Sequence, residues 1–211
     1  MYVKSVMIPK HKCHYINKGE NVKEALEILE AHEVDAIPVL DGNKYVGVVT
    51  RPNIYQSYFE SEQGKEDYLV QTKVEEITIN EQKYIGYDEI FERTLVELKN
   101  IPILTVVDQD HEFLGLVTRS DVMDQFQSAF GMQRKGIRIT FTSVETEGRI
   151  SRLAEIIKQF HESVISLVTF DESDKLLRRI VLKIEKKDNI DKFLQKLERS
   201  GFRILHIKED E

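Results

Sequence analysis

Gly47-Val48-Val49-Thr50-Arg51-Pro52-Asn53-Ile54 returns about 68 residues later as Gly115-Leu116-Val117-Thr118-Arg119-Ser120-Asp121-Val122. A stretch that recurs at this separation is the mark of a duplicated structural unit. The correspondence extends outward. Ile37-Pro38-Val39-Leu40-Asp41 precedes the first copy as Leu104-Thr105-Val106-Val107-Asp108 precedes the second. Further upstream, Tyr15-Ile16 and a helical run from Val22 are answered by Tyr84-Ile85 and a run from Phe91. Two related modules facing each other are expected, with their differences at helix ends and loop tips.

Within the first copy the pattern predicts a strand over 13–16 and an amphipathic helix with Val22, Leu26, Leu29 and Val34 at helical spacing. Strands over 36–40 and 44–50 follow, joined through Asp41-Gly42-Asn43. A second helix starts at Thr50, where Pro52 is tolerated because first-turn N–H groups have no intrahelical partner. Residues 55–76 are polar, charged and interrupted by Gly64, and read as a helical connector outside the core. The second copy runs to Phe130, with Gly131 placed to cap its last helix.

After Gln133-Arg134-Lys135-Gly136 the pattern changes. Ile137, Ile139 and Phe141 alternate with Arg138, Thr140 and Thr142, which is a half-buried strand. A helix over 149–161, strands over 164–170 and 176–184, a helix over 189–200 and a strand over 202–207 complete a β-α-β-β-α-β order, the ferredoxin-like split arrangement. The expected fold class is α+β (mixed α/β), divided into 1–73 (first module with connector), 74–132 (second module) and 137–211.

Composition narrows the function. With 211 residues, 41% hydrophobic and 32% charged, the chain has material for one large or two modest soluble domains. No apolar run has the length of a membrane span, and the first residues lack the apolar stretch of a secretory signal. Cys13 is the only cysteine, so no internal disulfide can form and a reducing cytoplasm is the expected location. A net charge of −7 argues against nonspecific nucleic-acid binding, which depends on neutralising phosphates.

The Thr-x-x-Asp turn has two readings. Thr118, three residues before Asp121, is a fair helix N-cap with the carboxylate facing the positive helix end. The same geometry offers free N–H groups to a phosphate, and an ionised Asp accepts from two vicinal ribose hydroxyls. Arg119 adds a cation.

The two copies resemble a tandem pair of cystathionine-β-synthase (CBS) domains, packed as a pseudo-symmetric pair. Residues 137–211 resemble an ACT domain, the small ligand-binding fold of metabolic regulators. The order of paired CBS then ACT is similar to that of bacterial acetoin-utilisation regulatory proteins and of CBS-ACT receptors for cyclic di-AMP. The resemblance implies a regulatory protein without enzymatic activity or cofactor, which senses AMP, ADP, ATP or cyclic di-AMP and passes occupancy to a protein partner. It also implies that Thr118, Arg119 and Asp121 hold phosphoribose, with Tyr84, Ile85, Leu104 and Thr105 near the base. In the first copy Asn53 replaces the Asp and loses the charge-assisted bond. Thr50, Arg51 and Asn53, with Tyr15, Ile16, Ala36 and Ile37 near the base, are therefore expected to form the weaker site. A ligand-free dimerisation scaffold is the rival reading.

In the C-terminal third, the loop between first strand and first helix keeps Gly148 but lacks the Asp-x-Pro lead-in of amino-acid-binding ACT domains. Amino-acid sensing there is an alternative, and a homodimer built on this sheet is expected. His11, Cys13 and His14 lie close together, but no second Cys/His cluster completes a tetrahedral site, so no metal is expected. Neither a Gly-x-Ser-x-Gly elbow, a P-loop nor a His-Glu-x-x-His helix is present.

Overall fold

The computed structural model describes residues 1–79, 81–144, 146–172 and 177–210. The chain opens on β1 (Ile8–Pro9), which does not join its own copy. β2 (Ile16–Asn17) leads to α1 (Val22–Ala31), whose start is fixed by a reciprocal cap: the Glu24 N–H donates to Asn21 Oδ1 and the Asn21 N–H to Glu24 Oε2. β3 (Ala36–Asp41) and β4 (Lys44–Thr50) form a hairpin, and β2 pairs parallel to β3, giving a three-stranded sheet in the order β2-β3-β4. α2 (Arg51–Glu60) starts at Thr50 with Pro52 in its first turn, and α3 (Lys65–Gln71) follows.

The second copy repeats the plan with β5 (Tyr84–Gly86), a short α4 (Arg93–Glu97), β6 (Ile103–Val107), β7 (Phe113–Thr118) and α5 (Arg119–Ala129). Its sheet has four strands in the order β1-β7-β6-β5. The fourth is the chain's own opening strand, with Ile8 opposite Leu116 and Pro9 opposite Gly115. The first copy receives the matching gift. The Val48 N–H donates to the Ile79 carbonyl at 2.8 Å and the Ile79 N–H to that of Val48 at 3.0 Å.

This exchange extends over both leading segments. Residues 1–3 lie along 89–91, with the Val3 N–H donating to Glu89 at 2.9 Å, and residues 72–74 lie along 20–22, with the Val74 N–H donating to Glu20 at 3.1 Å. Each copy is thus completed by the segment that introduces the other. The repeated glycines follow from it. A Cβ on Gly115 would lie 2.2 Å from the Ile8 carbonyl oxygen, and one on Gly47 would lie 2.1 Å from Thr78 Cγ2 and 2.8 Å from the Ile79 oxygen.

Two expectations change accordingly. Tyr68 and Val74, which lie in the stretch read as an external connector, and Ile77 just beyond it belong to the core of the first copy, packed with Leu29, Ile37, Val39 and Ile54. The Tyr68 hydroxyl donates to the Ile54 carbonyl from a site only 2% exposed. Polar composition misled because only Tyr68 and Val74 of this stretch are buried, while Tyr55, Phe59 and Val70 stay exposed. The cut at 73/74 likewise separates residues that fold as one body: the compact units are Met1–Met123 and Asp124–Glu211.

In the second unit, Phe130, Gly131 and Met132 end α5 in a Schellman motif. The Met132 N–H reaches Gln127, the Gly131 N–H reaches Ser128, and Gly131 takes φ 64°. Then come β8 (Ile137–Val144), α6 (Arg149–Gln159), β9 (Val164–Glu172), β10 (Leu177–Ile184), α7 (Ile190–Arg199) and β11 (Arg203–Glu209). The expected strand start at Leu176 lies outside the described residues. All pairings are antiparallel in the order β11-β8-β10-β9, which is the ferredoxin-like sheet. Ile139, Phe141, Ile180 and Leu182 face Leu153, Ile156, Phe193 and Leu197 of the two helices.

Candidate functional site

Thr118 ends β7 and caps α5. Its hydroxyl accepts from the Asp121 N–H at 3.1 Å, while Asp121 Oδ2 accepts from the Thr118 N–H at 2.8 Å and from the Thr118 hydroxyl at 2.7 Å. One carboxylate oxygen therefore fixes the turn and leaves Oδ1 for other work. At the matching turn, Thr50 Oγ1 accepts from the Asn53 N–H at 3.2 Å and donates to Asn53 Oδ1.

Both turn arginines reach back to a helix end. Arg51 Nη2 donates to the Leu29 carbonyl at 2.6 Å, and Arg119 Nε donates to that of Leu98 at 2.9 Å. Leu29 lies in the last turn of α1 and Leu98 caps α4. These guanidiniums satisfy orphan carbonyls and offset the negative helix end. Each turn is thereby tied to the preceding helix, and Arg119 also presents itself to the cleft beside it.

That cleft, of about 370 Å³, is where the exchange of segments acquires chemical meaning. Thr118, Arg119 and Ser120 meet Ala36 and Ile37 of the first copy, Pro102, Ile103 and Leu116 of the second, and the exchanged segment through Ile8, Lys12, Cys13 and His14. Glu33, Val34 and Asp35 close the outline. Free N–H groups at the start of an eleven-residue helix beside apolar walls suit a ligand with a phosphate and a flat base.

Burial holds the Cys13 thiol up to about 11, with the Asp121 carboxylate adding to the rise and a backbone hydrogen bond at Leu116 opposing it. Cys13 is therefore a neutral wall residue, its Sγ donating to the carbonyls of Ile8 and Pro9. His14 stacks on His32 with ring centroids 3.5 Å apart, and burial, then the neighbouring His32, lowers its pKa.

The residues expected at the two sites are sorted differently by the fold. Ala36 and Ile37, assigned to the weaker site, line the cleft that carries Thr118 and Arg119. Ile85, Leu104 and Thr105 are 4%, 0% and 0% exposed and are packed inside, Thr105 beside the Tyr45 phenol. Ile16 is also a core residue at 1% exposure. Tyr84 lines a separate depression with Asp108 and His111, and Tyr15 sits edge-on to Phe113. Leu104 follows from strand alternation: its neighbour Ile103 faces the cleft, so Leu104 turns to the opposite side. Lys12, Cys13, His14 and Pro102 were not anticipated. The signal for them was the pair of glycines, since only close approach of another strand requires the missing Cβ. In the second unit, Gly148 takes φ 82° and lines a small cavity of about 160 Å³ with Ser143, Arg149 and Arg178.

Comparison with known proteins places these observations. Residues 3–59 match the CBS domain family. The inosine-5'-monophosphate dehydrogenase of Korarchaeum cryptofilum is 28% identical over 162 residues, covering 72% of this chain and 32% of that protein. The chain thus spans about a third of the length of the curated relatives it matches first. A hypothetical conserved protein of Geobacillus kaustophilus superposes with a TM-score of 0.55 at 28% identity, over 60% of this chain and 96% of that one. The Listeria monocytogenes CbpB protein in complex with c-di-AMP gives 0.52 at 30% identity, over 58% and 92%. No helix among the described residues is long and apolar enough to cross a membrane.

Proposed function

We propose, from the match of residues 3–59 to the CBS domain family, that the N-terminal unit is a cytoplasmic sensor of an adenine nucleotide, and that the cleft at the start of α5 receives it. The observation that carries the reading is the convergence of Thr118, Arg119 and Ser120 with the apolar walls Ala36, Ile37, Pro102 and Ile103 in one 370 Å³ space. Thr118 and the first N–H groups of α5 hold phosphate, Asp121 accepts from ribose hydroxyls, and the base lies between the walls. The first-copy turn, with Asn53, is the weaker site.

Among AMP, ADP, ATP and cyclic di-AMP, the last is favoured by the c-di-AMP complex of the 30% identical Listeria protein and by the two adenosines a dimer could receive. Occupancy acts through the exchanged segment. Ile8 and Cys13 border the ligand while residues 1–9 bind the second copy, so a ligand that favours one placement of this segment shifts its population by its differential affinity. The output is a protein partner rather than a reaction. Residues 137–211 serve as an ACT-like dimerisation domain. The Gly148 cavity favours a second reading in which that domain senses an amino acid.

A thermal-shift panel of AMP, ADP, ATP, cyclic di-AMP, cyclic di-GMP and common amino acids tests these readings, because a ligand at a hundred times its Kd adds about 2.7 kcal/mol. A shift with one adenine compound, absent in Asp121→Ala, is expected. No shift with any nucleotide supports the scaffold, and an amino-acid shift lost in Gly148→Ala supports the alternative sensor.

A further inference from the structure

The C-terminal sheet carries a feature that nucleotide sensing does not use. In the registers of β11, β8 and β10, Lys208 stands directly opposite Arg138, and Arg138 directly opposite Lys183. Directly opposed residues of antiparallel strands project to the same face with Cβ atoms about 4.5–5.5 Å apart, and like charges so placed repel. Flanking Ile137 and Ile139 point to the helices, so the three cations lie on the other face. This row stands in a chain of net charge −7, where acids to neutralise it are plentiful.

Among the described residues, one acid does so. Asp210 Oδ2 lies 2.5 Å from Lys183 Nζ, and the Asp210 N–H donates to the Gly136 carbonyl, which fixes its place. Glu209 is committed to Lys186 and Glu185 to Arg134. Lys183 is 7% exposed in its side chain and also donates to the Gly131 carbonyl at 2.8 Å. Arg138 gives one of its five donors to Thr140, and among the described residues Lys208 makes no ion pair. Phe130 and Met132 overhang the row and complete a cavity of about 420 Å³. The Asp210 carboxyl is held below the usual range, by Lys183 first and by Lys208 last among the causes, as a positive field there requires.

We propose that the row Lys208, Arg138 and Lys183 is a binding site for a small doubly charged oxyanion of the phosphate-ester class, with its apolar part against Phe130 and Met132. Among the described residues, three cations less one carboxylate leave two positive charges, which such a ligand balances. The guanidinium fork of Arg138 suits two of its oxygens, and Lys208 closes the site from the edge strand.

The test uses the full chain. Inorganic phosphate and phenyl phosphate are titrated in thermal unfolding against sodium chloride of equal ionic strength. The wild type is compared with Arg138→Gln/Lys208→Gln and with Asp121→Ala. A saturable rise is expected, reached at lower concentration with phenyl phosphate. The double variant should need at least about tenfold more ligand, the worth of one charge-assisted bond, and Asp121→Ala, whose melting point falls with the lost cap, should keep the phosphate-dependent rise at the same ligand concentration. Without phosphate at low salt, the double variant should melt no lower than the wild type, since two repelling charges are gone. A shift that follows ionic strength alone, persists in the double variant or disappears in Asp121→Ala overturns the proposal. A lower melting point of the double variant without phosphate also overturns it, by making the row structural. Should the double variant not fold, Lys208→Gln alone carries the same comparison.

Discussion

Replacing Gly115 or Gly47 with alanine adds the same methyl group at two equivalent places, and the structure predicts equal damage to stability with unequal damage to binding. At Gly115 the methyl carbon falls 2.2 Å from the Ile8 carbonyl oxygen and 3.2 Å from Pro9 Cα. These are backbone atoms, so relief requires β1 to retreat by about 1 Å or more, breaking its ladder to β7. Overpacking of this kind costs about 1–3 kcal/mol, and each lost ladder bond about 0.5–1.5 kcal/mol. A total of about 2–4 kcal/mol follows, on the order of 10 °C in melting temperature for a unit of this size. At Gly47 the obstacles are Thr78 Cγ2 at 2.1 Å and the Ile79 oxygen at 2.8 Å, with the two Val48–Ile79 hydrogen bonds at stake. The segment displaced by Gly115→Ala carries Ile8, Lys12 and Cys13 of the cleft, whereas Thr78 and Ile79 do not border it. Urea unfolding and nucleotide titration on both variants measure the two quantities. A cost below about 0.5 kcal/mol at either glycine, or binding lost equally in both variants below their melting temperatures, refutes the exchanged-strand account.

Asn53→Asp should stabilise the first copy by about 0.3–1 kcal/mol at low salt, by placing a carboxylate at the start of α2. It should also raise the number of nucleotides bound per chain, both read by calorimetry. Tyr68→Phe removes the buried bond to the Ile54 carbonyl and should cost about 1–2 kcal/mol in urea unfolding, which a purely external connector would not. The Cys13 thiol, raised to about 11, should react with iodoacetamide far more slowly than a free cysteine at pH 8, and more slowly still with ligand bound. Because this pKa is raised in the folded state, its contribution to stability is complete below about pH 9 and is lost as pH rises through 11. An alkaline unfolding profile unchanged by Cys13→Ala would contradict this.

Local signals carried much of this architecture. The repeat, the turn at Thr118 with its Asp121 cap, the helical spacing of α1 from Val22 and the alternation of β8 are all written in adjacent residues. Partners far apart in sequence were not legible. The β1 strand is two residues long, too short for any periodicity, and its partner lies more than a hundred residues away. Without that pairing, each copy's own strands are the natural source of base contacts, yet Leu104 and Ile85 are buried. The stretch His11 to His14 drew attention for its ligand types, yet its position in the cleft arises from β1 crossing to the other copy.

The exchange also sets a schedule for synthesis. Ile8 leaves the ribosome early, but Leu116, its partner in β7, is still unmade. At roughly 5–20 residues per second, the opening strand waits on the order of ten seconds with its edge unsatisfied. The first copy is in the same position until Ile79 appears to cover β4. The first copy can close once Ile79 has emerged, whereas β1 stays open until β7 is made, and halves expressed separately would each display a bare edge to other chains.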